Sequence, residues 1–237
     1  MRRSVLKSFG LALLALAGTA CTLAKGVVGN RSGYEEPDYI VKETLPGGIA
    51  IRHYAGRVVV QTTVEPGGEA EDADEPRDEA FQRLFDYISG ENSARGEIAM
   101  TVPVETKKSS QKVAMTVPVE VRGEDAGRPS AEPLTMRFFL PSKYTAETAP
   151  APADPRVELA TLPAETYAVA RIEGGVNEED LAAAKKAVSQ AVASSPLYRA
   201  AGEPVVWYYD PPFTLPPLRQ TDVALAVERI PAPTPAP

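Results

Sequence analysis

The chain has 237 residues, enough for one domain of ordinary size or two small ones, and its 43% of hydrophobic residues can bury a real core. Its formal net charge is -7. An acidic chain lacks the basic surface that sequence-independent nucleic-acid binding needs, so no nucleic-acid partner is expected.

The chain opens with a basic stretch, MRRSVLK, followed by the apolar run SFGLALLALAG. That run is too short to span a bilayer comfortably, and residues 1–20 read as a signal peptide. Removing them takes away Arg2, Arg3 and Lys7 and no acid, so the charge becomes -7 - 3 = -10. Cys21 is the only cysteine and follows the small residues Thr19 and Ala20, a context that resembles a lipobox. The expectation is an exported protein, periplasmic or at the cell surface, held to a membrane by a lipid on Cys21. Plain secretion and an uncleaved anchor are the alternatives. One cysteine excludes an intrachain disulfide.

Residues 21–36 read as a flexible leader, and one domain is expected over 37–229. YIVKETL, from Tyr39, is extended and ends in the turn Pro46-Gly47-Gly48. IAIRHYAGRVVVQTTV (49–64) alternates and is rich in β-branched residues, which predicts one long strand or two short ones with a bend at Gly56. The acidic stretch 65–79 is a solvated connection. It leads into a helix over 77–90, where Phe81, Leu84, Phe85 and Ile88 form one apolar stripe facing the sheet. A second helix is predicted over 177–196, with Asn177 as N-cap and Leu181, Ala184, Val188 and Ala191 on one face. Further strands fit 134–141, 157–163, 167–174, 204–210 and 222–228, and the tail 230–237 is Pro-rich and disordered. The order strand (49–64), helix, strand (98–104) returns as strand (167–173), helix, strand (204–209). This predicts an α+β domain with an internal pseudo-twofold β-α-β repeat.

One set of words occurs twice: IAMTVPVE at 98–105 and VAMTVPVE at 113–120. In the second copy Val113, Met115, Val117 and Val119 share one face of an extended chain, and Pro103 and Pro118 exclude ordinary central-strand pairing. Met100 and Met115 sit among β-branched neighbours, so they read as core residues before they read as metal or haem ligands. The repeat therefore reads as duplicated scaffold. Ser109 and Lys112 spell S-x-x-K, but in a turn and without the partner motifs of penicillin-recognising enzymes.

His53 is the only histidine. The chain has no G-x-S-x-G, H-E-x-x-H, P-loop, G-x-G-x-x-G or C-x-x-C, so the motif-bearing hydrolase, protease and nucleotide chemistries lack their signatures. Alternation places His53 with Ile51 on one face of its strand, and Arg52 with Tyr54 on the other. It is either an ordinary strand histidine or a haem axial ligand.

Taken in order, YIVKETLPGGIAIRHY, FQRLFDYISGEN, EIAMTVPVE, FFLPSKY, PRVELATLPAETYAVARIEG, YYDPPFTLP and TDVALAV resemble the SOUL haem-binding family from about Glu36 to Glu228. The resemblance implies a distorted, twisted β-barrel-like sheet with two flanking helices and an internal pseudo-repeat. It implies reversible, non-enzymatic binding of haem or a related tetrapyrrole in a hydrophobic groove beside the first helix. Carried over, Arg83 is the first candidate for a propionate partner, because a guanidinium matches a carboxylate in a fork. Arg57 and Arg77 follow, Tyr87 joins the groove, and Tyr209 and Phe213 of the Y-D-P-P-F loop close one side. His53 is the candidate axial ligand. A binding module for another small amphipathic ligand is the alternative, and a hydrolase using Glu97 and Tyr87 is the third reading.

Overall fold

The computed structural model describes residues 33–65, 75–94, 110–123, 133–210 and 214–231. The expected signal peptide, Cys21, most of the leader, the first copy of the repeated words with Met100, the strand at 98–104, Glu97, Ser109, Phe213 and the end of the tail lie outside the described residues. Tyr39–Leu45 (β1) and Ile49–Tyr54 (β2) form an antiparallel hairpin. The expected turn joins them, with Gly47 at φ 82 and Gly48 at φ 77, backbone that side chains resist.

The run 49–64 breaks at Ala55–Gly56 into β2 and Arg57–Val64 (β3). Then come a helix, Glu75–Ser89 (α1), and the strands Asn92–Ser93 (β4), Val119–Arg122 (β5), Leu134–Phe139 (β6), Ala151–Pro152 (β7), Val157–Leu162 (β8) and Glu165–Glu173 (β9). A second helix, Glu178–Ala193 (α2), is followed by Tyr198–Ala200 (β10), Val205–Tyr208 (β11) and Gln220–Arg229 (β12). The main sheet runs β1-β2-β9-β12-β11-β5-β6-β3-β8, antiparallel throughout, with β10 on β12; β4 and β7 pair separately. It curls into a half-barrel.

The strand order carries the pseudo-twofold. Outward from the β11–β5 junction, β11-β12-β9-β2 mirrors β5-β6-β3-β8. Chain order agrees, with β2-β3-α1-β5-β6 repeated as β8-β9-α2-β11-β12. The repeats are interlocked, because β2 pairs with β9 of the second and β8 pairs with β3 of the first. The chain crosses between halves at Ala55–Gly56 and at Pro163–Ala164. Among the described residues the first main-sheet strand after α1 is therefore β5, which begins at the end of the second copy.

Both helices cover one face. Val121 of β5 and Val206 of β11 lie opposite each other; Val121 packs with α1 and Val206 with α2. On α2, Leu181, Val188 and Val192 are buried, each such side chain contributing about 1.5–3 kcal/mol. Asn177 caps this helix as expected: its side chain accepts the Asp180 N–H at 2.9 Å, and Asp180 accepts the Asn177 N–H at 3.2 Å.

On α1 the buried stripe is rotated from the expected one. Ala80, Leu84, Tyr87 and Ile88 are buried, while Phe81 is half-buried and Phe85 is 42% exposed. Tyr87 can take a core position because its hydroxyl donates to the Pro150 carbonyl at 2.9 Å. At about 100° per residue that turns Phe81 and Phe85 to the flank.

The second copy of the repeated words keeps its expected phase only in part. Val113, Met115 and Val119 pack in the α1 core, but Val117 packs on the other face of the sheet. Before β5 this segment has no regular ladder. The Val117 N–H donates to the Glu35 carbonyl at 3.0 Å and the Thr116 hydroxyl to the Phe139 carbonyl, so strict alternation is lost. The Val117–Pro118 peptide is cis.

Candidate functional site

The candidate residues fall into separate places. Arg83 and Tyr87 line a cleft of about 330 Å³ on one flank of α1, together with Glu79, Asp86, Asp154 and Arg156. Arg83 is held there by Glu79, and it also donates to the Thr62 hydroxyl and the Thr63 carbonyl, both at 3.3 Å. Asp154 takes Arg156 in a fork, at 3.0 and 2.7 Å. That bonding lowers its carboxyl to a pKa of about 2. With Glu91 also present, the lining carries more carboxylates than guanidiniums, and both guanidiniums already have acidic partners.

The other flank of α1 is aromatic. Arg77, Phe81 and Phe85 follow at four-residue spacing, which places them along one side of the helix. Phe81 and Phe85 stack at 6.0 Å and 15°, and Phe81 meets Phe138 edge-on at 5.5 Å. The Arg77 guanidinium lies 5.6 Å from the Tyr208 ring centre. Tyr208 packs against both helix cores, so this flank lies toward the middle of the helical face.

Arg57 and Tyr209 are on the opposite face of the sheet. The Arg57 guanidinium lies over Tyr54 at 4.5 Å and Phe139 at 4.9 Å, with Glu165 at 3.4 Å. The Tyr209 hydroxyl donates to Asp222 at 3.0 Å. His53 is half-buried on β2, in the α2 half, where its Nδ1 lies 3.0 Å from the Thr166 hydroxyl. It shares a face with Ile51, but three strands, β9, β12 and β11, separate β2 from β5, the nearest strand of the α1 half. The structure therefore does not bring His53 together with Arg77, Arg83 or Tyr87.

Sequence reading missed a polar row across the face opposite the helices. In register, Arg171, Asp222, Trp207, Glu120, Arg137 and Gln61 follow one another over β9, β12, β11, β5, β6 and β3. Asp222 accepts from Arg171 at 2.9 Å, Arg52 at 2.7 Å and Tyr209. Glu120 accepts from Arg122 at 2.8 Å, Arg137 at 3.0 Å and the Trp207 indole at 2.9 Å. Both carboxylates are fully buried. Burial pushes the Glu120 carboxyl up, but Arg122, Trp207 and Arg137 more than offset this and hold it below its ordinary value. Carboxylates that each accept from three neighbouring side chains brace the sheet. The signal available in sequence was one acid inside each apolar strand, in VEVR and TDVALAV.

Among the described residues no group of three or more His, Cys, Asp or Glu could hold a metal ion, and no helix is long and apolar enough to cross a membrane.

No curated protein matches the chain in sequence. Among solved structures it is similar to EcmrR in a cryo-EM EcmrR–DNA complex, with TM-score 0.50 and 12% identity over 77% of this chain. It spans 57% of that EcmrR chain, and the likeness shows the fold alone. A hydrolase from Listeria innocua matches at TM-score 0.47 and 14% identity, over 83% of this chain and 94% of the other. SAV2435 bound to tetraphenylphosphonium matches at TM-score 0.40 and 14% identity, over 76% and 93%. Residues 34–226 match the family model described as SOUL heme-binding protein, and the chain belongs to that family.

Proposed function

We propose that the protein binds haem or a related tetrapyrrole reversibly, without turnover, on the aromatic flank of α1. Family membership supports the ligand class. The observation that carries the place is the Phe81–Phe85 stack, with Phe85 42% exposed and Arg77 two turns before it. A porphyrin presents a flat apolar ring and acidic side arms. Burying that ring against the stack supplies the main attraction, and Arg77 suits a propionate. The Arg83 flank suits it less, because carboxylates outnumber guanidiniums there. His53 lies in the other half of the sheet, so in this reading the protein holds the ring by its face and side arms, without a bond from His53 to iron.

The protein acts outside the cytoplasm, in capture, buffering or trafficking of its ligand. This part of the reading rests on the basic-then-apolar start of the chain and on Cys21 after Thr19-Ala20, where a lipid would anchor it to a membrane. Radiolabelled fatty acid should enter the chain in a bacterial host and be lost in Cys21→Ser; equal labelling of both would contradict the anchor.

The acidic cleft on the Arg83 flank favours a second reading, a small amphipathic ligand carrying positive charge. Haemin titration separates the two. Saturable one-to-one binding, followed in the Soret band and weakened by Phe85→Ala, supports the first reading. Failure to saturate at micromolar protein leaves the second.

A further inference from the structure

Four aromatic rings form one chain of contacts on the face opposite the helices. Tyr39 lies 5.3 Å from Tyr54, Tyr54 lies 5.5 Å from Trp207, and Trp207 lies 5.1 Å from Tyr167, centre to centre. Tyr54 also meets Tyr167 directly, at 6.0 Å. Tyr39 is 38% exposed, whereas the other three are buried. The chain of rings thus runs from solvent to the only tryptophan of the sequence, in steps of one ring contact each.

The polar groups around the rings decide where a missing electron comes to rest. The Glu120 carboxylate, 2.9 Å from the indole nitrogen, favours positive charge on Trp207. Glu120 is fully buried and also accepts from Arg122 and Arg137, so a proton moved onto it would displace those bonds and have no water to reach. An oxidised indole therefore keeps its N–H. At Tyr39 and Tyr54 the surroundings have the opposite sign. The Arg52 guanidinium lies over the Tyr39 ring at 4.7 Å and Arg57 over Tyr54 at 4.5 Å, and a cation on a ring face opposes further positive charge in that ring. The Tyr54 hydroxyl is set against Arg52, which has no acceptor for its proton. Tyr167 differs. Its hydroxyl donates to Glu165 at 2.8 Å, and the Glu165 side chain is 28% exposed. Tyr167 can therefore give up an electron and a proton together, and that proton has a path to water. Tyr209 also donates to a carboxylate, but Asp222 is fully buried and shared with Arg52 and Arg171, so no such path opens there.

We propose that Tyr167 is a redox-active tyrosine, the end point of one-electron oxidation that enters from a solution radical at Tyr39 and passes through Tyr54 and Trp207. The solution radical gains one electron, and the chain of rings loses one. In the last step an electron moves from Tyr167 to the oxidised indole, the phenolic O–H bond breaks, and the proton forms an O–H bond on Glu165. Trp207 is restored with its N–H intact, and Tyr167 is left as a neutral phenoxyl beside a protonated carboxyl. A water-soluble one-electron donor of the thiol or enediol class returns the electron, and the proton comes back from Glu165. The oxidising equivalent is thereby held on one phenol, on the face of the sheet away from α1, and the scheme does not depend on what α1 binds.

Transient absorbance tests this step by step. A laser pulse at the red edge of indole absorption, with an electron scavenger present, photoionises Trp207 alone, since the chain has no other tryptophan. In the full chain the indole radical band should decay while a phenoxyl band grows at the same rate. Tyr167→Phe should lengthen the life of the indole radical several-fold and remove most of the phenoxyl. Glu165→Gln sits at a half-buried position and keeps an acceptor oxygen without taking the proton, so it should slow the transfer several-fold in a folded chain. Tyr54→Phe should leave this phenoxyl yield unchanged. A photo-oxidised ruthenium polypyridyl complex then supplies the oxidant from solution, and Tyr39→Phe should lower the phenoxyl yield. An indole radical that decays without a phenoxyl, or at a rate unmoved by both Tyr167→Phe and Glu165→Gln, would overturn the proposal. So would a phenoxyl lost in Tyr54→Phe and kept in Tyr167→Phe. An equal yield from the ruthenium complex with and without the Tyr39 hydroxyl would overturn entry at Tyr39.

Discussion

The Trp207 indole N–H donates to the Glu120 carboxylate at 2.9 Å across the β11–β5 pair, where the two repeats of the sheet meet. Trp207 also meets Tyr54 and Tyr167 edge-on, at 5.5 and 5.1 Å. This pair therefore joins the polar row to the aromatic interior. Trp207→Phe keeps most of the ring packing and leaves one carboxylate lone pair without its donor. It should cost about 1–3 kcal/mol, measured as a lower denaturant midpoint at unchanged slope.

Asp222 collects Arg52, Arg171 and Tyr209, and Arg52 is itself buried. Asp222→Ala leaves a buried guanidinium without its main partner, and a loss of about 3–5 kcal/mol is expected in equilibrium unfolding. Tyr209→Phe removes a single donor and should cost only about 1 kcal/mol. Equal losses would show that the ion pairs add nothing beyond the tyrosine bond.

Acid should loosen the sheet through Glu120. Its folded pKa lies below the ordinary 4.5, despite burial, because of Arg122, Trp207 and Arg137. A depressed carboxyl contributes stability that is fully present above the unfolded value and lost as pH falls through the folded one. Arg122→Gln raises the folded value, so its acid-unfolding midpoint should move to higher pH than that of the parent chain.

Alkali acts with the opposite sign at Tyr54. Burial pushes its hydroxyl up to about 12, from an ordinary 10.0, with Arg52 opposing. Its contribution is present below the unfolded value and fades as pH rises between the two. Phenolate absorbance should show ionisation near pH 12 that is missing in Tyr54→Phe; a titration unaltered by the substitution would count against this assignment.

Asn177→Ala removes the reciprocal cap of α2 and should cost about 1 kcal/mol. Thermal unfolding would read this as a modest fall in midpoint, with helix content kept.

What could be read in sequence was what local periodicity encodes. The Pro46-Gly47-Gly48 turn, the cap at Asn177 and the strands at 134–141, 157–163, 167–174, 204–210 and 222–228 all have their counterparts in the fold. The strands β4, β7 and β10 are too short to carry a pattern. Tyr87 displaced Phe85 from the buried stripe because a distant carbonyl, that of Pro150, satisfies its hydroxyl. The interlocking at Ala55–Gly56 and the row through Trp207 depend on which strands become neighbours, and spacing along the chain does not encode that. Glu120 was hidden inside a word read as scaffold, and Asp222 inside the closing strand.

The central claim is that the aromatic flank of α1 holds the tetrapyrrole. The most direct test titrates haemin into the parent chain, Phe85→Ala and His53→Ala, following the Soret band. The account predicts saturable one-to-one binding by the parent and the same spectrum and affinity in His53→Ala. Binding by Phe85→Ala should be weaker by roughly tenfold or more, as expected for losing about 1.5–3 kcal/mol of aromatic burial. A spectrum that changes in His53→Ala while Phe85→Ala binds like the parent would contradict it and move the site to the β2 side of the sheet.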